Sequence, residues 1–266
     1  MANQWSVSNM HDAAGLLPPA GSNIAVIGAC GGIGSELVKK LVAATCNVVA
    51  VDLERSLAEA PSVAAHSIAF DGMDAGSIEQ MAQQLQKVMP RLEGLVIASG
   101  FAGQRMPLTD WTVQAIDEVI TGNLRLTTLC LRALLPLLQH GDAASVVLIT
   151  SDMAYIPQPG YAPYIAAKAG LVAMGQSVAR EVAPSVRINF VSPGAVDTPF
   201  LRGGRGRTTD PDAPLRFDMG EYLAKIPLAR LAVAADVIGP VLFLLGPGAS
   251  YMTGNILHVS GGAYMG

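Results

Sequence analysis

The stretch Ile24-Ala25-Val26-Ile27-Gly28-Ala29-Cys30-Gly31-Gly32-Ile33-Gly34 carries an apolar segment straight into a cluster of glycines. An apolar run without alternation reads as a strand covered on both faces, which is the habit of a parallel sheet. The residues that follow, 35–44, can form a helix whose amino end faces the turn. Without a Cβ in the way, backbone amides there can cradle a diphosphate. The same cluster alone would also suit a plain tight turn from strand to helix.

Outward from this stretch, an apolar run, a glycine or polar break and a helical pattern alternate until about residue 192. Strands are expected at 24–28, 47–51, 66–70, 94–98, 145–150, 186–191 and 256–259. This order predicts an α/β fold: a Rossmann-type doubly wound parallel sheet of about seven strands with helices on both faces. Residues 1–22 contain Pro18-Pro19 and no clear period, and read as a leader free to move. Residues 23–266 read as a single domain. Within it, 199–227 is broken by Gly203, Gly204, Gly206, Pro211 and Pro214 and reads as a lid.

Composition narrows what such a chain can bind. Of its 266 residues 51% are hydrophobic and 14% charged, enough for one large core. A net charge of −4 offers no electrostatic footprint for nucleic acid. Cys30, Cys46 and Cys130 are widely spaced and lack a CxxC pair or a nearby histidine cluster, so they read as reduced core residues, with no metal site. No stretch approaches 18 uninterrupted apolar residues, and no Lys or Arg precedes the first short apolar one. Neither membrane insertion nor export is expected, which leaves the cytoplasm by default.

Two further clusters point to chemistry. Asp52 ends Val48-Val49-Ala50-Val51 and lies 18 residues beyond Gly34, where a carboxylate can accept hydrogen bonds from an adenosine ribose. It would repel a 2′-phosphate, and the glycine turn carries no Lys or Arg to offset it, so NAD is expected over NADP, with Arg55 the nearby opposing cation. In Tyr164-Ile165-Ala166-Ala167-Lys168, a phenol and an ammonium four residues apart share one helix face. A free phenol has a pKa of ~10, and an adjacent cation lowers it by roughly 1–3, towards a useful base. Ser151 ends the apolar run Val146-Val147-Leu148-Ile149-Thr150, and strand ends are where open α/β sheets hold ligands.

Taken together, Gly28-x-x-x-Gly32-x-Gly34, Asn123, Ser151, Tyr164-x-x-x-Lys168 and Pro193-Gly194-Ala195-Val196-Asp197-Thr198 stand in the order and approximate spacing of the short-chain dehydrogenase/reductase family, which the chain resembles over about residues 22–262. The resemblance implies an oxidoreductase that interconverts a secondary alcohol and a ketone by hydride transfer, with residues 23–266 as its dinucleotide-binding catalytic domain. Tyr164 would be the acid/base, Lys168 its support, Ser151 the residue that orients substrate, and Asn123 the holder of a proton-relay water. Cofactor contacts are implied at Gly28, Ile33, Leu53, Asp71, Gly72, Ala98, Gly100, Pro193, Gly194, Val196 and Thr198, besides Gly32, Gly34, Asp52, Tyr164 and Lys168. The chain departs from the family where Ile27 replaces a Thr and where Ile97-Ala98-Ser99-Gly100 replaces Asn-Asn-Ala-Gly. Both changes remove polar side chains that brace the central strands.

Met153, Gln158 and Tyr161 lie between Ser151 and Lys168, and Phe200 and Leu201 open the lid, so a mostly apolar substrate is expected against Ser151 and Tyr164. Arg202, Arg205 and Arg207 could clamp an anion, but a solvated basic loop is the favoured reading. The helical stretch 162–182 is rich in Ala and Gly, and the resemblance adds a homotetramer built through it and its neighbour. Two alternatives stand: an enoyl reductase of the related branch, because Tyr161-x6-Lys168 is also present, and a non-catalytic NAD-binding regulator or scaffold.

Overall fold

The computed structural model describes residues 13–203 and 218–266. All seven expected strands form, with ends within two residues of the expectation: β1 Asn23–Ile27, β2 Asn47–Asp52, β3 His66–Ala69, β4 Gly94–Ile97, β5 Ala144–Ile149, β6 Val186–Pro193 and β7 Ile256–Val259. They build one parallel sheet in the order β3-β2-β1-β4-β5-β6-β7. Eight helices among the described residues connect or flank them: α1 Gly32–Ala43, α2 Glu54–Glu59, α3 Ala75–Val88, α4 Val113–Ile120, α5 Leu126–Gln139, α6 Ala162–Val182, α7 Met219–Leu223 and α8 Ala234–Leu245.

The continuous apolar strands are explained by helix layers on both sides. Successive side chains on a strand point to opposite faces. Thus Ala25, Ile27, Leu95, Ile97, Val146 and Leu148 pack against α3, α5 and α6 through Met81, Leu85, Leu131, Leu134 and Leu171. Their neighbours Ile24, Val26, Val96, Val147 and Ile149 pack against α1 and α8 through Leu37, Leu41, Ile238, Val241 and Leu244. Every residue of β4, β5 and β6 is buried, as a central parallel strand requires.

One region differs from expectation, and a second lies only partly within the described residues. Residues 13–22 are not a free leader: Ala13–Leu16 form a 3₁₀ turn, the Gly21 amide donates to Thr45 O at 2.9 Å, and the Asn47 amide donates to Ser22 O at 2.9 Å. These bonds fasten the segment to the entry of β1 and β2, which a scan for periodicity does not register; residues 1–12 lie outside the described residues. In the expected lid, Pro199–Arg202 form a 3₁₀ turn and α7 follows at Met219–Leu223. Residues 204–217, with Arg205 and Arg207, lie outside the described residues. Among the described residues no helix is long and apolar enough to cross a membrane, and no group of His, Cys, Asp or Glu could hold a metal ion.

Candidate active site

The connection reverses direction between β1 and β4, and the crevice at the carboxyl ends of those strands is where an open α/β sheet takes its ligand. The glycine turn lies at this point. Gly28 has φ +84, a conformation L side chains rarely adopt, and a Cβ there would lie 2.7 Å from the Ser99 amide nitrogen. A Cβ at Gly34 would overlap the Gly28 carbonyl oxygen. Any other residue at either position would therefore fill or distort the cradle. The Gly28 amide donates to Val51 O at 2.8 Å, so the turn is registered against β2.

That register brings Asp52 to the turn. Its Oδ2 accepts from the Cys30 amide at 2.7 Å and its Oδ1 from the Leu53 amide at 2.8 Å. The carboxylate is thus tied across 22 residues to the phosphate cradle, rather than merely capping the local turn. With the glycines bare of side chains and Asp52 fastened beside them, the residues present fit a dinucleotide. Ile27 is buried in the core, and the Ala98 amide donates to Ile27 O at 2.8 Å. Apolar packing and a backbone bond therefore brace β1 and β4 where the family departures removed polar side chains.

Tyr164 and Lys168 lie on the buried face of α6, each 4% exposed. Lys168 Nζ donates to Ile149 O at 3.0 Å and sits 5.8 Å from the centre of the Tyr164 ring. Burial pulls the Lys168 pKa down to about 8. Burial likewise pushes the Tyr164 phenol far above its ordinary value, and the nearby Asp152 charge adds to this while a hydrogen bond with Ser151 opposes it. Lys168 Nζ, engaged with the Ile149 carbonyl, stands beside the phenol, while burial is the largest influence on Tyr164 itself. Ser151 Oγ accepts from the Met153 amide at 3.2 Å and donates to Asp152 Oδ1 at 3.5 Å, a long bond that a substrate oxygen can take over.

Asn123 falls in a π-helical turn, Thr121–Arg125, between α4 and α5, in line with the local kink that Gly122-Asn123 implies. Its Nδ2 donates to Phe101 O at 2.8 Å and to Val119 O at 2.9 Å, and its main-chain carbonyl accepts from Thr127 Oγ1 at 2.8 Å. Gly100 stands in front of it with φ +150, where a Cβ would overlap Asn123 Oδ1 and lie 3.5 Å from Lys168 Nζ. Asn123 therefore braces the wall behind the site.

One cavity of about 780 Å³ gathers the rest: every candidate site residue named above except Asn123 lines it, from Gly28 and Asp52 at one end to Ser151, Met153, Gln158, Tyr161 and Tyr164 at the other. Asp152 and Tyr222 are among the cavity residues that sequence reasoning missed. Asp152, next to Ser151, is 9% exposed, and burial raises its carboxyl to about 6 against amide bonds and a Ser151 bond that hold it down. An acid next to Ser151, just past the carboxyl end of β5, was the signal available. Tyr222, on α7, accepts at its hydroxyl oxygen from the Ala195 amide at 2.8 Å, joining the helix to the Pro193-Gly194-Ala195 loop, and no local pattern marks it.

Fold, glycine cradle and the Ser, Tyr and Lys of the cavity together define a nucleotide-cofactor oxidoreductase. The chain belongs to the short-chain dehydrogenase/reductase family, and a family model described as enoyl-(acyl carrier protein) reductase matches residues 28–264. It is 30% identical over 249 residues to the 3-oxoacyl-[acyl-carrier-protein] reductase FabG of Escherichia coli (strain K12), spanning 90% of this chain and 96% of that protein. It is 29% identical over 250 residues to the protein of the same name from Staphylococcus aureus, spanning 90% and 97%. A short-chain dehydrogenase/reductase titled glucose/ribitol dehydrogenase from Brucella melitensis superposes with a TM-score of 0.79 at 26% identity, covering 94% of this chain and 99% of that one. A short-chain type dehydrogenase/reductase from Mycobacterium ulcerans shares the fold with a TM-score of 0.83 at 24% identity, covering 93% and 91%.

Proposed function

We propose that this protein interconverts a ketone and a secondary alcohol on a mostly apolar small molecule, with NAD as hydride carrier and reduction as the favoured direction. The observation that carries the reading is the buried Tyr164 phenol, bonded to Ser151 and one helical turn from Lys168 at the head of the cavity. Burial keeps that phenol protonated at neutral pH, so it stands ready to give its proton to a carbonyl oxygen. Ser151 donates a hydrogen bond to the same oxygen, and the Lys168 ammonium, charged below about pH 8, steadies the phenolate as the proton leaves. The nicotinamide, when bound, supplies or accepts the hydride. Met153, Tyr161 and Phe200 give the substrate end apolar walls. The similarity to two 3-oxoacyl reductases supports ketone reduction as the reaction class.

Asp52 supports NAD, since its fastened carboxylate would meet a 2′-phosphate with like charge; Arg55 lines the same end of the cavity, so NADP must be run beside it. The test is a panel of aliphatic, aryl and cyclic ketones and a 3-oxoacyl thioester, each with NADH and NADPH, followed by the loss of reduced-nicotinamide absorbance. Turnover of ketones supports the reading. Turnover of a 2-enoyl thioester alone would move it to an enoyl reductase, for which Tyr161 in the cavity wall is the relevant residue. Tight NADH binding with no turnover at all would leave a scaffold. The reading includes a cytoplasmic homotetramer: Ala162, Ala166, Ala169 and Ala173 turn a small-residue face of α6 outward, against which a second copy can pack closely.

A further inference from the structure

Asp152 is the only buried carboxyl among the described residues, and no salt bridge engages it among them. Removing a carboxylate from water is costly, and a volume-matched apolar residue would avoid that cost. Its place makes sense of the expense. Oδ1 lies 3.5 Å from Ser151 Oγ. Oδ2 lies 3.3 Å from the point where a Cβ on Gly194 would stand, and the Tyr222 hydroxyl lies 3.1 Å from that same point. A side chain at position 194 would crowd both groups, whereas glycine leaves the space between the catalytic pair and α7 open.

A ketone whose oxygen is held by Ser151 and Tyr164 brings its neighbouring carbon towards this carboxyl. In an α-hydroxy ketone the two oxygens sit ~2.8 Å apart, so one can reach Ser151 Oγ while the other reaches Asp152 Oδ1, 3.5 Å away from it. Building on the ketone-reduction reading above, we infer that Asp152 is a specificity-determining residue: its carboxyl accepts a hydrogen bond from a hydroxyl on the carbon next to the reacting carbonyl. The substrate class is then an α-hydroxy ketone, or in the oxidative direction a vicinal diol, with an apolar remainder against Met153, Tyr161 and Phe200. At neutral pH the group is mostly ionised despite its burial, which makes it a strong acceptor. A ketone lacking that hydroxyl adds no donor to a carboxylate held only by nearby amides and the Ser151 hydroxyl, and so forgoes one charge-assisted hydrogen bond.

The test compares α-hydroxyacetophenone with acetophenone, both reduced by the wild-type protein, Asp152→Ala and Asp152→Asn. The quantity read is the ratio of kcat/KM for the two ketones, not either rate. It should fall by about tenfold or more in Asp152→Ala, and by less in Asp152→Asn, whose amide oxygen still accepts. A ratio within about twofold of wild type in both variants overturns the inference while leaving ketone reduction standing. If the wild-type protein reduces neither ketone with NADH or NADPH, the ketone-reduction reading fails and the inference falls with it. Should Asp152→Ala not fold by circular dichroism, the near-isosteric Asp152→Asn decides by the same ratio.

Discussion

At Tyr164 two influences oppose each other. A hydrogen bond with Ser151 favours the phenolate, and near-complete burial disfavours it more strongly, so the group waits as an acid. Tyr164→Phe is therefore expected to lower kcat by ~10² to 10⁴ while NADH binding, followed by fluorescence, persists; full turnover by the variant would remove Tyr164 from the acid role. Asp152 makes a different kind of statement. Its carboxyl is raised from 3.8 to about 6, so the folded protein holds that proton more tightly than the unfolded chain does. Stability is consequently lost as pH rises from about 4 through 6, and the deficit is complete above 6. Asp152→Asn should be more stable than wild type by up to about 3 kcal/mol in urea unfolding at pH 8, with the difference shrinking towards pH 4. Equal midpoints at pH 8 would show that the carboxyl is well solvated. Tyr164, Lys168 and Ser151 were legible as a chemical set because helix spacing and a strand end place them locally. Their proton affinities were not, because these depend on which other elements cover them.

At the scale of elements, the helical stretch from α4 to α5 shows how a weak helix former becomes a fixture. Gly122-Asn123 disfavours a regular helix, and the chain answers with a π turn in which the Asn123 amide group serves the Val119 and Phe101 carbonyls. Asn123→Ala leaves both carbonyls without that donor in a buried wall and should cost ~2–4 kcal/mol, read as a lowered melting temperature. A change of only a few tenths would mean that water replaces the amide. The kink was readable from propensity; its π form was not, since Phe101, on the loop after β4, lies 22 residues away in sequence. Strand identities were readable to within two residues, because two-sided burial writes an apolar run that needs no knowledge of the partner strand. The packing of residues 13–22 was invisible to the same scan, because its bonds to Thr45 and Asn47 run through main-chain groups and one Asn47 side-chain amide, none of which follows a period.

Across the whole molecule, the parallel order of the sheet assembles one cavity from residues spread between Gly28 and Ala263. Its adenosine end is decided by Asp52, held to the glycine turn through the Cys30 amide. Replacing Asp52 with Ser removes a like charge from the place a 2′-phosphate would take, and should raise the NADP-to-NAD ratio of kcat/KM by about tenfold or more. An unchanged ratio would assign cofactor choice elsewhere, with Arg55 the first residue to examine. The assembly proposed through α6 predicts a solution mass near four times the 27.6 kDa chain by light scattering, and a monomer would overturn it.

The amino-acid sequence by itself determined the alternation of strand and helix, the bare glycine turn, and the triplet of Ser151, Tyr164 and Lys168, because each rests on spacings of a few residues and on one-dimensional burial patterns. Only the tertiary structure decided that Tyr164 is buried beside Ser151 and Asp152, that Asp52 is tied to the phosphate cradle, that the Asn123 amide is bonded to the Phe101 and Val119 carbonyls, and that Asp152 and Tyr222 line the cavity. Those outcomes depend on dielectric surroundings and on backbone groups brought together from distant segments, quantities that exist only once the sheet has closed over them.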